Sequence, residues 1–135
     1  MRVVLDTNVL IAGGYRIPDD VSEVAVSSIS YAELEQGIVR PGLDPAASAE
    51  RRLQLLEFRR AFGRGLPFDD LAAQYYGRIV EAVYAVGRSP RGRIADLMIA
   101  AVARANDASI VTHNVGDFAG LERVVRVVPA SGGAI

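Results

Sequence analysis

The chain has no cysteine, no lysine and a single histidine, His113, in its 135 residues. Without cysteine there is no disulfide framework, no thiolate metal site and no Cys nucleophile, and a reducing cytoplasm is the compartment that fits. Without lysine, Schiff-base chemistry and a phosphate-binding loop ending in GK[ST] are excluded, since all fifteen basic residues are arginine. A lone histidine has no second ligand of its kind with which to share a metal, and His113 is expected to make a loop contact. Long apolar runs are missing as well: no stretch of about 18 residues is uniformly apolar, so no membrane-spanning helix is expected. The first ten residues are apolar, but they carry Asp6 and lack a basic n-region of the usual kind and a small-residue cleavage site, so no signal peptide is expected. An excess of either charge is also missing. With a net charge of −1 the chain is no polyanion-coating protein, and any nucleic-acid contact has to be local.

What is present is an apolar half of the composition and a length that suits one domain, residues 1–135, with no linker or repeat. Val3 to Leu5 reads as a buried strand, and Val9 to Ala12 as a short helix stopped by Gly13 and Gly14. Val24 to Ile29 is a second strand, followed by "SYAELEQGIVRPG", where Ser30 and Glu33 form an S-x-x-E helix start and Pro41 and Gly42 a stop. Ala46 to Phe62 is helical, with Ala49, Leu53 and Leu56 as its apolar face. "LPF" is at best a short edge strand, because Pro67 cannot donate to a ladder. Asp69 or Asp70 caps a long helix in which Leu71, Tyr75, Ile79 and Val83 repeat down to Gly87. Arg93 to Ala105 is apolar on nearly every side and is expected to be buried on two of them. Ser109 to Thr112 is a strand, "HNVGDFAGL" a short helix, and Val124 to Val128 a last strand before a Gly-rich tail. Strands alternating with helices imply a parallel sheet between helical layers, with right-handed crossovers.

In such a sheet ligands collect beyond the carboxyl ends of the strands, where the strand order reverses. Asp6, Glu33 and Asp117 all follow strands at that rim, and Asp96 comes early in the doubly apolar helix. Each has an ordinary structural account. Asp6 suits an N-cap, Glu33 the third position of a capping box, and Asp117 a first-turn acid after an Asn114 cap, each worth about 0.3 to 1 kcal/mol. Those accounts leave their convergence unexplained. Carboxylates gathered in low dielectric repel by several kcal/mol unless a cation or protons neutralise them, and an all-carboxylate set suits Mg2+ or Mn2+. Glu35, two residues from Glu33, points elsewhere on its helix. Asp19, Asp20, Asp44, Asp69 and Asp70 lie in loops or open helices and are read as solvated or capping. Tyr75, Tyr76 and Tyr84 are read as core or dimer packing before base stacking.

The fragments "VVLDTNVLI", "SSISYAELEQGI", "RIADLMIAAVARANDASIVTHNVGDF" and "VVRVV", in that order, resemble the PIN-domain family, and within it the VapC toxins of toxin-antitoxin pairs. The resemblance runs from Val3 to about Val128. It implies a three-layer α/β/α sandwich around a parallel sheet of four to five strands, and a metal-dependent endoribonuclease that uses Mg2+ or Mn2+. The family's four acids map onto Asp6, Glu33, Asp96 and Asp117, with Asp6 and Asp96 at the principal metal and Glu33 and Asp117 completing its outer or second site. The products would carry a 5'-phosphate and a 3'-hydroxyl. Thr112 or Asn114 takes the place of a supporting polar residue, though either can also cap the short helix. Arg88, Arg91 and Arg93 are candidates for holding RNA phosphates. The resemblance further implies a VapB-like antitoxin over the acidic pocket and a toxin homodimer; a partner Arg reaching the carboxylates would inhibit by replacing the metal's charge.

Two other classes compete. A receiver-type signalling module would accept phosphate on Asp6 but uses a Lys that this chain lacks, and a haloacid-dehalogenase-like phosphatase wants an Asp where Asn8 stands. A PIN-like module that binds RNA without cutting it is separated from a nuclease only by an activity assay.

Overall fold

The computed structural model describes residues 1–130; the Gly-rich tail, residues 131 to 135, lies outside them. Four strands form one parallel sheet: β1 (Arg2–Leu5), β2 (Glu23–Val26), β3 (Ser109–Thr112) and β4 (Val127–Pro129), in the order β2-β1-β3-β4. Alternation along these strands separates two faces. Val4, Ala25 and Ile110 point to one and pack with helices α4 (Asp70–Ala85) and α5 (Ile94–Ala105). Val3, Leu5, Val26 and Val111 point to the other and pack with α1 (Thr7–Ala12), α2 (Ser28–Ile38) and α3 (Pro45–Phe62). The result is the expected three-layer sandwich, and the apolar strand runs follow from burial on both faces. Helix α5 lies between the sheet and α4, so Leu97 and every residue from Ile99 to Ala103 are buried, while Ile94 at its start is exposed.

Four sequence expectations need correction. β2 stops at Val26 because Ser27, not Ser30, caps α2, accepting the Ile29 N–H at 2.9 Å. Ser27 is held extended by a parallel bridge to Leu66, whose N–H donates to the Val26 carbonyl and whose carbonyl accepts from Ser28; "LPF" contributes that single bridge. In α3 the inward residue is Leu55, backed by Phe58 and Phe62, whereas Leu53 and Leu56 are exposed. In α4 the buried stripe is Ala72, Ile79 and Val83, with Leu71 left in solvent. A strict four-residue repeat drifts about 40° per step on a helix of 3.6 residues per turn, so Leu71 has rotated out of a stripe centred on Ile79. Finally, β4 begins three residues late and ends on Pro129, which an edge strand tolerates. Asp44 and Asp69 are helix caps, accepting from the Ala47 and Ala72 N–H groups at 2.9 and 3.0 Å.

Candidate active site

The strand order reverses between β1 and β3, and Asp6 sits at that junction. Its N–H extends the ladder to the Val111 carbonyl at 2.9 Å, and its carbonyl accepts from Val9 and Leu10 to start α1. The residue is therefore the N-cap that the sequence suggests, but its carboxylate does more. Oδ1 accepts the Thr7 N–H at 2.8 Å, and Oδ2 accepts the Thr112 hydroxyl at 3.0 Å. Only 3% of Asp6 is exposed. By the strand alternation Asp6 and Thr112 continue the face of Val4 and Ile110, the one α5 covers, and α5 carries Asp96 at its third position.

Burial raises the pKa of Asp6; the Thr112 and Thr7 hydrogen bonds oppose that rise, and the charges of Glu33 and Asp117 add to it. The pKa of Asp96 is raised too, first by burial and then by the charge of Asp6, with Arg93 opposing and Asp117 adding. Asp6 therefore lies in the electrostatic field of Glu33 and Asp117, and Asp96 in that of Asp6 and Asp117. Among the described residues no three His, Cys, Asp or Glu side chains stand close enough together to hold an ion as they are placed, so the acids share a field and not yet a coordination shell. The donor set itself, carboxylate oxygen throughout, is of the kind that takes a hard divalent cation.

The remaining candidates separate. Glu33 is half-buried in the second turn of α2, and because Ser27 does the capping, its carboxylate is free of that duty; Oε1 accepts the Thr7 hydroxyl at 2.7 Å. Glu35 faces away, 3.9 Å from Arg59. Asp117 is exposed in a 3-10 helix, Val115–Phe118, whose Asn114 cap makes no side-chain bond. Thr112, fully buried, both donates to Asp6 and accepts the Asn114 N–H at 3.1 Å, which ties the short helix to the junction. His113 is exposed beside it. Of the three arginines, Arg91 is exposed, and Arg88 donates to the Gly116 carbonyl at 3.3 Å and the Asp117 carbonyl at 3.5 Å. Arg93 is folded inward, its guanidinium 5.8 Å from the centre of the Phe118 ring with Nε and Nη2 buried. Arg93 stands one turn before Asp96 and opposes the rise of its pKa.

The sequence reading missed Thr7 and Ser30. Thr7 passed as the first residue of a helix and Ser30 as a cap, yet the Thr7 hydroxyl lies 2.8 Å from that of Ser30 and donates to Glu33. The available signal was position: Thr7 adjoins Asp6, and Ser30 lies three residues before Glu33, on the same helix face.

The PIN-domain family matches residues 3–123. The chain belongs to the PIN-domain family. Members of the VapC kind are nucleases and the toxin partners in toxin-antitoxin pairs. Among solved structures the chain is similar to VapBC-5 of Mycobacterium tuberculosis, a member of the VapBC family of toxin-antitoxin systems, at 33% identity and a TM-score of 0.75, over 95% of this chain and 96% of that one. It is also similar to FitAcB of Neisseria gonorrhoeae, at 26% identity and a TM-score of 0.75, covering 96% and 99%. The DNA-bound VapBC of Salmonella typhimurium matches at 25% identity and a TM-score of 0.72, covering 96% and 98%. Comparison with curated protein sequences yields no significant match. Among the described residues no helix of this PIN domain is long and apolar enough to cross a membrane.

Proposed function

We propose that this PIN domain is a VapC-type toxin, an endoribonuclease that works with Mg2+ or Mn2+ at Asp6, Glu33, Asp96 and Asp117 and is silenced by a VapB-like antitoxin. The observation that carries this is the field at the β1–β3 junction. There a buried carboxylate, Asp6, is pushed toward protonation by burial and by Glu33 and Asp117, a burden that a bound divalent cation relieves. When bound, that cation neutralises the carboxylates and acidifies a water for attack on phosphorus.

The chain's own residues divide the remaining work. Asp6 is the fixed point, locked by Thr7 and Thr112 at the end of the sheet. Glu33 is brought toward it from α2 by the Thr7 hydroxyl, and Asp96 from α5. Asp117, the exposed acid, meets water and substrate at the rim. Arg91, exposed in the loop before α5, and Arg88, which reaches the Gly116 and Asp117 carbonyls, are the residues assigned to hold RNA phosphates. A 210 Å3 cleft lined by Ile11, Glu33, Leu34, Gly37, Arg51 and Gln54 includes one of the acids, Glu33, and offers an antitoxin segment both apolar and charged contacts. Tyr84, Val86, Ile94 and Val115 leave apolar side chains exposed for a second copy of the toxin. An RNA substrate places the action in the cytoplasm.

The test is incubation of the pure protein with total RNA in Mg2+, in Mn2+ and in chelator, with the cleavage ends mapped. Cleavage that needs the metal and leaves a 5'-phosphate is expected, and millimolar Mn2+ is expected to raise the melting temperature, since a ligand at a hundred times its Kd adds about 2.7 kcal/mol of stability. Cleavage that persists in chelator, or melting curves that overlay with and without Mn2+, would overturn the reading.

A further inference from the structure

We infer that Thr7, braced by Ser30, is the positioning residue that holds Glu33 against Asp6 and so sets how tightly the site takes its cation. The inference rests on the reading just proposed. Thr7 touches both acids: its N–H donates to Asp6 Oδ1 at 2.8 Å and its hydroxyl to Glu33 Oε1 at 2.7 Å. It is thus a single link between the end of β1 and helix α2, elements that enter the site from different directions.

Counting protons fixes the direction of the chain of hydroxyls. An ionised carboxylate only accepts, so the one hydroxyl proton of Thr7 goes to Glu33. The Ser30 hydroxyl, 2.8 Å from Thr7 Oγ1, is left as the donor, and the order is Ser30 to Thr7 to Glu33. Water has little access: Thr7 is 6% exposed and Ser30 0%. Ser30, in the first turn of α2, reaches across to α1, which spends its proton on bracing Thr7. Because Thr7 is β-branched, its χ1 is restricted as well, so the hydroxyl that receives Ser30 and grips Glu33 has few alternative positions. A hydrogen-bonded residue behind a metal ligand orients that ligand, and its loss typically lowers metal affinity 10- to 100-fold.

The experiment is a calorimetric titration of the full chain with Mn2+, without RNA, for wild type, Thr7→Val, Thr7→Ser, Ser30→Ala and Glu33→Gln, with each variant's metal-free melting curve as a check on folding. Thr7→Val keeps the shape and removes the donor; its affinity is expected to fall about tenfold. Ser30→Ala leaves Thr7 its proton but unbraced, and a drop of about two- to fivefold is expected. Thr7→Ser keeps the hydroxyl and is expected to bind within about twofold of wild type, a rescue that a packing role would not give. If Thr7→Val does not fold, Ser30→Ala against Thr7→Ser carries the test. Equal affinities in wild type, Thr7→Val and Ser30→Ala, alongside a weakened Glu33→Gln, would overturn the inference and leave the nuclease reading standing. A Thr7→Ser variant as weak as Thr7→Val would overturn it too. A wild type that binds no Mn2+ would remove the reading beneath it.

Discussion

At the amino ends of the strands Arg2 pairs with Glu23 at 2.8 Å and Arg104 with Asp107 at 3.2 Å, both in solvent-facing positions. At the carboxyl ends Asp6 and Asp96 carry pKa values raised first by burial, then by Glu33 and Asp117 for Asp6 and by Asp6 and Asp117 for Asp96, with Arg93 the one cation opposing in the field of Asp96. One rim of the sheet thus settles its charge within the chain, and the other, on the function proposed above, leaves it to a cation. Capping shows the same contrast among the aspartates. Asp44 and Asp69 each serve a single backbone donor, whereas Asp6 caps a helix, receives a buried hydroxyl and stands in the field of two carboxylates. A cap alone is weak evidence of function. A cap that is also buried among like charges is much stronger.

The largest expected effect tests this contrast through activity. Asp96→Asn removes one carboxylate from the acidic rim and is expected to reduce metal-dependent RNA cleavage by about 100-fold or more. Asp107→Asn breaks the Arg104 pair at the opposite rim, and since Asp107 sits at φ 52°, a conformation asparagine accepts, cleavage is expected to stay within about twofold. Rates measured side by side on one RNA decide the matter: Asp96→Asn cleaving like wild type would remove the distinction between the rims.

Much of this was legible because a parallel sheet buried on both faces writes its strands as short apolar runs, and an acid directly after such a run can hardly avoid the carboxyl rim. Asp6 and Asp117 were placed that way. What could not be read depended on contacts between distant segments. "SSIS" offers more than one serine as a cap, and the choice fell to Ser27 because Leu66, far along the chain, pairs with it. The inward face of α3 was misassigned because Leu53, Leu55 and Leu56 are all apolar candidates, and Tyr31, Phe58 and the sheet decide among them. Thr7 and Ser30 meet across 23 residues, a separation at which no local pattern speaks. Arg93 was visible as a candidate for holding RNA phosphates, and only its inward fold shows it favouring the charged form of Asp96 instead.

A smaller effect appears in stability against pH, measured in chelator so that no cation intervenes. The raised groups, Asp6 and Asp96, start from an ordinary value of 3.8 in the unfolded chain, so the folded state holds protons that the unfolded state has already lost. Their favourable contribution is fully present below 3.8 and disappears as pH rises through the higher folded-state values. Urea melts across that window are expected to show stability falling with rising pH, against the usual trend for paired carboxylates. Asp96→Asn is expected to flatten the slope and, at neutral pH without metal, to raise the melting temperature by about 2 to 4 °C. A variant with the wild-type slope would show that neither burial nor the neighbouring acids raise Asp96 in the folded state.

The smallest effect belongs to the opposite rim. Arg2 and Glu23 are 37% and 51% exposed, so their attraction is screened by water and salt, and Glu23→Gln is expected to change stability by less than about 1 kcal/mol. Arg2 keeps its bond to the Asn106 carbonyl at 3.2 Å, which anchors the guanidinium without the carboxylate. Denaturant melts at low and high salt give the check, and whatever difference exists at low salt is expected to shrink at high salt. A loss above about 2 kcal/mol that persists in salt would mean that the amino rim also holds its charge in low dielectric, and that pairing, not burial, is what separates the two ends of this sheet.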